Sequence, residues 1–390
     1  MLRVGINAIS LASPVTGIGQ YTRNLLEHLG VDGEVETRCF TGLRWQEEVP
    51  PRSIIGISHW KRVFKAIVPA PYSVARAAQQ LAFDSGLRRS GVQLYHEPAF
   101  LPFRFNGPTV VTTHDLAWIR HPETHPDLRV KMLNREFPRA IERADALITD
   151  SEFVRKEIIE AFSVSPEKIW AIPLAASSGM CPRQEFECSE ILARRNLKWR
   201  NFILSVGTLE PRKNLKVLAA AYARLPAEMR TRFPLVVVGG RGWKSSGRAS
   251  GDDPDSKLVG AYQLGYVSHQ ELNILYSSAR MLIYPSIYEG FGLPPLEAMA
   301  SGTPAVVSNE PSLSEVAGDA AIRIDSHDIV GLTDVMLRLL EDELECRRLS
   351  ALGIVRARQF SWGRCARETV GVYRHVLDRN PPVKTVFTAP

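Results

Sequence analysis

Short apolar runs recur along the chain, and helix-period patterns fill the intervals between them. In the first half the runs are Leu2–Ile9, Glu36–Phe40, Gln93–His96, Thr109–Thr113, Ala146–Asp150 and Ile169–Leu174. The spacing between them predicts helices over Ile18–Leu29, Tyr72–Arg89, Asp127–Arg143 and Glu152–Phe162. Strands that are nearly all apolar and alternate with helices belong to a parallel sheet covered on both faces. Ala175 to Arg200 lacks a strong apolar run and reads as a linker followed by a short helix. A second alternation follows, with strands over Phe202–Val206, Leu235–Val238, Ala261–Tyr266, Met281–Tyr284, Ala305–Val307 and Ala321–Ile324. Its helices are Leu215–Leu225, Gln270–Ser278, Pro294–Ala300 and Ile329–Leu340. The pattern predicts an α/β protein of two Rossmann-like domains facing across a cleft. The first covers 1–176 and the second 177–360, with a last helix over 361–378 docking back on the first. Asn380–Pro390, with three prolines, is expected to fray.

Composition narrows the class without choosing a function. The 390 residues are 45% hydrophobic and 23% charged, an ordinary globular balance. The net charge is +6, and it is unevenly spread. Between Arg52 and Arg104 eight basic residues face only Asp84 and Glu97, so that stretch alone carries +6. Within it Trp60–Ile67 has apolar positions at i, i+3, i+4 and i+7 with Lys61, Arg62 and Lys65 elsewhere on the helix. Such a helix either lies on an anionic membrane surface or packs on the sheet with a solvated basic face. No zinc-finger, RRM-type or helix-turn-helix signature is present, so nucleic acid is not an expected partner. Five widely spaced cysteines without a C-x-x-C pair argue against a disulfide framework and a zinc site, and fit a reducing cytoplasm. The start, MLRVGINAIS, enters a strand at once, so no signal peptide is expected, and no apolar run spans a membrane. Asp252-Asp253 in a Gly/Ser-rich loop reads as a solvated turn, so no metal is expected. Nothing in the sequence sets an oligomeric state.

The candidate chemistry sits after the strands. Gly17 and Gly19 follow the first strand, where bare backbone can approach a phosphate at a helix N-terminus. The third glycine of a dinucleotide fingerprint is replaced by Thr22, which disfavours a nicotinamide dehydrogenase. Thr112-Thr113-His114-Asp115 ends another strand. His114 there would bond a sugar hydroxyl, move a proton, or simply be a structural residue held by Asp115. Glu210-Pro211-Arg212-Lys213-Asn214 follows the Phe202 strand. Adjacent cations at a helix start suit a diphosphate and can stabilise a departing nucleotide. The string from Tyr288 to Glu297 carries two carboxylates around the glycines Gly290 and Gly292. Glu289 suits sugar hydroxyls or cationic character at an anomeric carbon. Glu297, one turn into a helix, suits a ribose diol. Gly265-Tyr266-Val267 presents backbone to a base or is one more core strand.

These strings together resemble the retaining glycosyltransferases of family 4, with the GT-B fold. The likeness is strongest to the mannosyltransferases of bacterial O-antigen, capsule and exopolysaccharide assembly. It rests on Gly17/Gly19, His114-Asp115, Asp150-Ser151-Glu152, the string from Gly207 to Asn214, Glu289 to Glu297, and Pro311 to Val316. The resemblance implies that Arg212 and Lys213 neutralise the donor diphosphate and that Glu297 holds the ribose. Glu289 and the backbone of Gly290, Phe291, Gly292 and Leu293 would grip the sugar. His114 would line the sugar site from the other domain, and Gly17 and Gly19 would approach phosphates or acceptor. Many members carry arginine where this chain has Thr208, which leaves the phosphate charge to Arg212 and Lys213. The expected reaction moves mannose from GDP-mannose, a substrate rather than a cofactor, onto a glycan on a polyprenyl diphosphate at the inner membrane face. Three alternatives stand beside it: a UDP-sugar or deoxysugar donor, a nucleotide-sugar epimerase, and a non-catalytic sugar-nucleotide or membrane-binding subunit.

Overall fold

A computed structural model describes residues 1–12, 17–31, 33–50, 71–240 and 260–379. The Trp60–Ile67 pattern, Asp252-Asp253, residues 13–16 of the glycine loop and the Asn380–Pro390 end lie outside them. The chain forms two compact units. One gathers 1–114, 134–174 and 362–390, the other 115–133 and 175–361. The second unit thus includes 115–133, a stretch the sequence pattern assigns to the first. A local tie accompanies this: the Leu116 amide donates to the Tyr288 hydroxyl at 2.9 Å.

In the first unit the strands are β1 (Leu2–Asn7), β2 (Val35–Phe40), β3 (Trp45–Gln46), β4 (Leu94–Glu97), β5 (Thr109–Thr113), β6 (Ala146–Thr149) and β7 (Ile169–Ala171). They lie in the order β3-β2-β1-β4-β5-β6-β7. Every pairing is parallel except β2 with β3. The two-residue β3 is too short to leave a period in the sequence. What holds it is Trp45, whose ring lies 4.9 Å from that of Phe83 and whose indole N–H donates to the Phe83 carbonyl. Phe40, Phe83, Tyr95 and Phe103 complete this core with ring centroids 5.0–5.2 Å apart. Burying one such ring contributes about 4–6 kcal/mol of gross transfer free energy before ordering entropy opposes it. The last helix, Trp362–Arg379, belongs to this unit: Tyr373 bonds His96 at 2.7 Å, and Trp362 lies 6.4 Å from Tyr21.

The second unit repeats the plan with β8 (Ile203–Val206), β9 (Leu235–Val238), β10 (Ala261–Gly265), β11 (Met281–Tyr284), β12 (Ala305–Ser308) and β13 (Ala321–Ile324). Their order is β10-β9-β8-β11-β12-β13, all parallel. β9, β11 and β12 are buried at every position, as strands covered on both faces must be. Strand and helix ends differ from the sequence expectation by a residue or two, except β7, which stops at Ala171, three residues short of Leu174. Helix Glu343–Ala357 has no counterpart in the expected elements; its first turn is acidic and Asp342 caps it by accepting from the Glu345 amide.

Candidate functional site

In each sheet the strand order reverses once, between β1 and β4 and between β8 and β11. Ligands of doubly wound sheets bind outside the carboxyl ends of the strands at that reversal. In the second unit the two segments leaving β8 and β11 carry the Arg212-Lys213 pair and Glu289. Two ties fix them to each other. Asn214, with left-handed φ of 55°, sends its side-chain amide to the carbonyls of Pro285 and Ser326. The Ile287 amide donates to the Arg212 carbonyl at 2.9 Å. Gly239 also matters here, because a Cβ would lie 1.9 Å from the Gly207 carbonyl oxygen. Only glycine lets the turns after β8 and β9 approach so closely.

The result is a compact charged cluster. Glu289, 6% exposed, accepts from Lys213 Nζ at 2.5 Å and from Arg212 Nη1 at 2.9 Å. Tyr284, at the end of β11, donates to Glu289 at 2.8 Å and accepts from Lys213 Nζ at 2.7 Å. Arg212 also donates to Glu210 and to the Tyr288 carbonyl. Burial alone would raise the Glu289 carboxyl, but Lys213 and Arg212 outweigh it and hold the group at about 2. Burial and the neighbouring Arg212 charge pull Lys213 down, against the bond to Glu289. Burial likewise opposes the charge on Arg212, yet Glu289, Asp115 and Glu210 hold its proton well above the usual value. Ser205, Val206, Gly207, Lys213 and Tyr284 line a narrow crevice at the end of β8.

The turn after β11 is bare backbone. Gly292 has φ of 105°, a conformation that favours glycine, and a Cβ there would also displace the Leu313 side chain. Helix Leu293–Ala300 starts directly after it, with proline in its first turn. Gly290 and Phe291 are buried, and the Phe291 ring meets Phe360 edge-on at 5.9 Å. Glu297 does not join the cluster. It is 2% exposed and accepts from Ser177 at 2.7 Å, and burial raises its carboxyl. Val267 is buried after Gly265, the left-handed residue that ends β10, while Tyr266 is exposed.

His114, Gly17 and Gly19 belong to the first unit. The sequence offered Asp115 as a structural partner of His114; the structure gives Asp150 instead. His114 Nδ1 lies 2.7 Å from Asp150 Oδ2, and Nε2 lies 2.8 Å from the Pro98 carbonyl. Asp115 caps its own segment, accepting from the Ala117 amide. Gly17 opens helix Gly17–Leu29 and Gly19 is buried within its first turn. Among the described residues no group of three or more His, Cys, Asp or Glu side chains is placed to hold a metal.

Sequence reasoning passed over Tyr284, Glu210 and Ser177. A hydroxyl closing the otherwise apolar buried strand Met281–Tyr284 was the available signal for the first.

Two Rossmann-like units, one with a cation–carboxylate cluster at its strand reversal, define a GT-B protein. Two family models match: "Glycosyltransferase Family 4" over residues 15–176 and "Glycosyl transferases group 1" over residues 190–354. The O-antigen chain mannosyltransferase B of Escherichia coli is 36% identical over 368 residues, covering 93% of this chain and 96% of that protein. The serotype-specific mannosyltransferase WbdA of Escherichia coli is 32% identical over 69% of this chain, which spans only 34% of that longer protein. Among solved structures, a sucrose-phosphate synthase from Thermosynechococcus elongatus superposes with a TM-score of 0.71 at 20% identity over 97% of this chain and 100% of that one, a likeness of fold. The chain belongs to the family 4 glycosyltransferases, and is a glycosyltransferase of the GT-B fold.

Proposed function

We propose that this enzyme transfers mannose from GDP-mannose, with retention, onto a glycan of bacterial O-antigen or a related surface polysaccharide. The acceptor is carried on a polyprenyl diphosphate. The enzyme works in the cytoplasm, peripheral on the inner membrane through its basic 52–104 region. The sugar and its destination are taken from the mannosyltransferase relatives.

The observation that carries the reading is the arrangement of Arg212 and Lys213 on one buried carboxylate at the strand reversal. A buried carboxylate between two cations is itself a stand-in for a phosphate. Lys213 Nζ has three hydrogens, of which Tyr284 and Glu289 take two. The third, with Arg212 Nη2, is available to a diphosphate oxygen. In the reaction the acceptor oxygen bonds the anomeric carbon as the bond from that carbon to the diphosphate breaks. The acceptor proton passes to the departing diphosphate on the same face. Arg212 and Lys213 stabilise the charge that develops there. Glu289, held by the cations, turns its remaining acceptor lone pairs to the sugar. In this reading Glu297 holds the ribose, Gly290 to Leu293 and Val267 line the donor, and His114, Gly17 and Gly19 act from the first unit. The catalysis asks for no cofactor beyond the donor.

A donor panel tests this. Thermal shift and transfer assays with GDP-mannose should exceed those with UDP-sugars, and product NMR should give an α-mannoside. Stabilisation by UDP-sugars alone removes the mannose assignment. A Glu289→Ala enzyme with full transfer removes the site assignment.

A further inference from the structure

Ser312 has one hydroxyl proton and two acceptors. Its Oγ lies 2.9 Å from the Glu289 carbonyl oxygen and 2.6 Å from Glu310 Oε2. Glu310 follows β12, caps helix Pro311–Ala317, and accepts from the Leu313 amide at 3.0 Å. The carboxyl is buried, and the Glu289 amide also faces it. An ionised Glu310 would take the Ser312 proton as the stronger acceptor, leaving the Glu289 carbonyl without its donor. A protonated Glu310 donates instead, and one directional chain then gives both the Ser312 oxygen and the Glu289 carbonyl a donor.

We propose that Glu310 is a positioning residue for the Glu289–Gly290 turn that works in its protonated form, donating to Ser312 so that Ser312 donates to the Glu289 carbonyl. Its surroundings favour this state. Burial pushes the Glu310 carboxyl up to about 7; Ser312 and Leu313 oppose that, and the Glu289 charge adds to it. Among the described residues no cation pairs with Glu310. Glu289 faces it from the turn, with Arg212 and Lys213 bound to that carboxylate. Of the other charged groups around helix Pro311–Ala317, Arg356 is spent on the carbonyls of Glu315 and Val316. Glu297 is hydrogen-bonded to Ser177, Asp319 is exposed, and Glu315 lies further along the same helix. The carboxyl therefore changes state where enzymes of neutral compartments operate. Ionisation turns Ser312 away and loosens the backbone that presents Glu289.

The inference rests on reading Glu289 as a donor-gripping residue, so its test has one arm that needs no donor. In infrared difference spectra taken across neutral pH, the full-length enzyme should show a protonated-carboxyl band that fades on alkalinisation and is missing from Glu310→Gln. Subtracting that variant removes other buried carboxyls such as Glu97. The second arm is kinetic. From about pH 6 to about pH 8.5 the wild-type donor KM should rise about five- to tenfold, the worth of one hydrogen bond, with kcat changing less. Glu310→Gln, whose amide mimics the neutral acid, should keep the low-pH KM throughout. Ser312→Ala should show the raised KM at every pH. If Glu310→Gln titrates like wild type, or the band is absent, the proposal is overturned. If the band is present but KM is flat in all three proteins, the proton is there and the positioning role is not. If no nucleotide sugar is turned over, the functional reading fails while the band still decides the proton.

Discussion

The two units share a strand order and treat charge in opposite ways at its reversal. In the first, the groups beside the ends of β1 and β4 are kept neutral or near it. Burial drives His96 down to about 3, and the ring sits between the hydroxyls of Tyr373 and Thr112, 2.7 Å from each. Burial drives Glu97 up to about 7, although the Arg76 charge, Tyr95 at 2.6 Å and Asn7 at 2.8 Å oppose it. In the second, Glu289 is as deeply buried, yet two cations keep it ionised. Topology supplies a reversal in both, but among the described residues it is the second that concentrates charge suited to a diphosphate. Fold alone therefore does not concentrate charge at a reversal; the residues loaded onto it do.

The largest test of that contrast is removal of each carboxylate. Glu289→Ala strands two buried cations and should cost about 3–5 kcal/mol in chemical denaturation. Glu97→Ala leaves its neutral hydrogen-bond partners Tyr95 and Asn7 unsatisfied, while Arg76 keeps its bond to the Leu101 carbonyl, and should cost about 1–3 kcal/mol. Equal losses would erase the distinction between the units. Next, Lys213→Ala should lower transfer by about 10²–10³-fold, the scale of removing one preorganised charge-stabilising donor; an unchanged rate would mean the cluster is purely structural.

The pH dependence of stability should separate Glu289 from Glu97, since their signs differ; Glu310, raised like Glu97, adds to the alkaline-side loss. Glu289 has a depressed folded value, so its contribution is present above about pH 4.5 and is lost as pH falls toward about 2. His96, held neutral, adds an acid-side loss as pH falls from about 6.5 through about 3. Glu97 is raised, so its contribution is complete below about pH 4.5 and is lost as pH rises through about 7. The Glu97 effect has an upper bound of about 3 kcal/mol, and Glu97→Gln should abolish it. Urea denaturation at about pH 5 and about pH 8 reads the difference. The smallest effect is expected from Tyr284→Phe, which removes one hydroxyl bridging Lys213 and Glu289. It should cost about 1 kcal/mol of stability and raise donor KM about fivefold.

Much of this was legible beforehand. Nearly every strand was announced by a short apolar run, because a strand covered on both faces has no polar alternation to hide it. Arg212, Lys213 and Glu289 were found as residues because they are charges in the segments that follow strands, where a parallel sheet places its ligand crevice. What escaped was partnership across distance. His114 meets Asp150, thirty-six residues away, rather than adjacent Asp115. Trp45 makes a strand only because Phe83 is there to hold its ring and indole N–H. Tyr284 reads as a strand end, and Glu310 draws no reading at all, until their neighbours are known.

The order of apolar runs fixed the two sheets, the parallel pairing and the placement of loops at strand ends, because each follows from local burial and period. Only tertiary structure decided that Glu289 is ionised while Glu97 and Glu310 sit near neutrality. A carboxyl's charge is set by what lies within a few ångströms of it. Those neighbours are assembled from segments that the sequence keeps far apart.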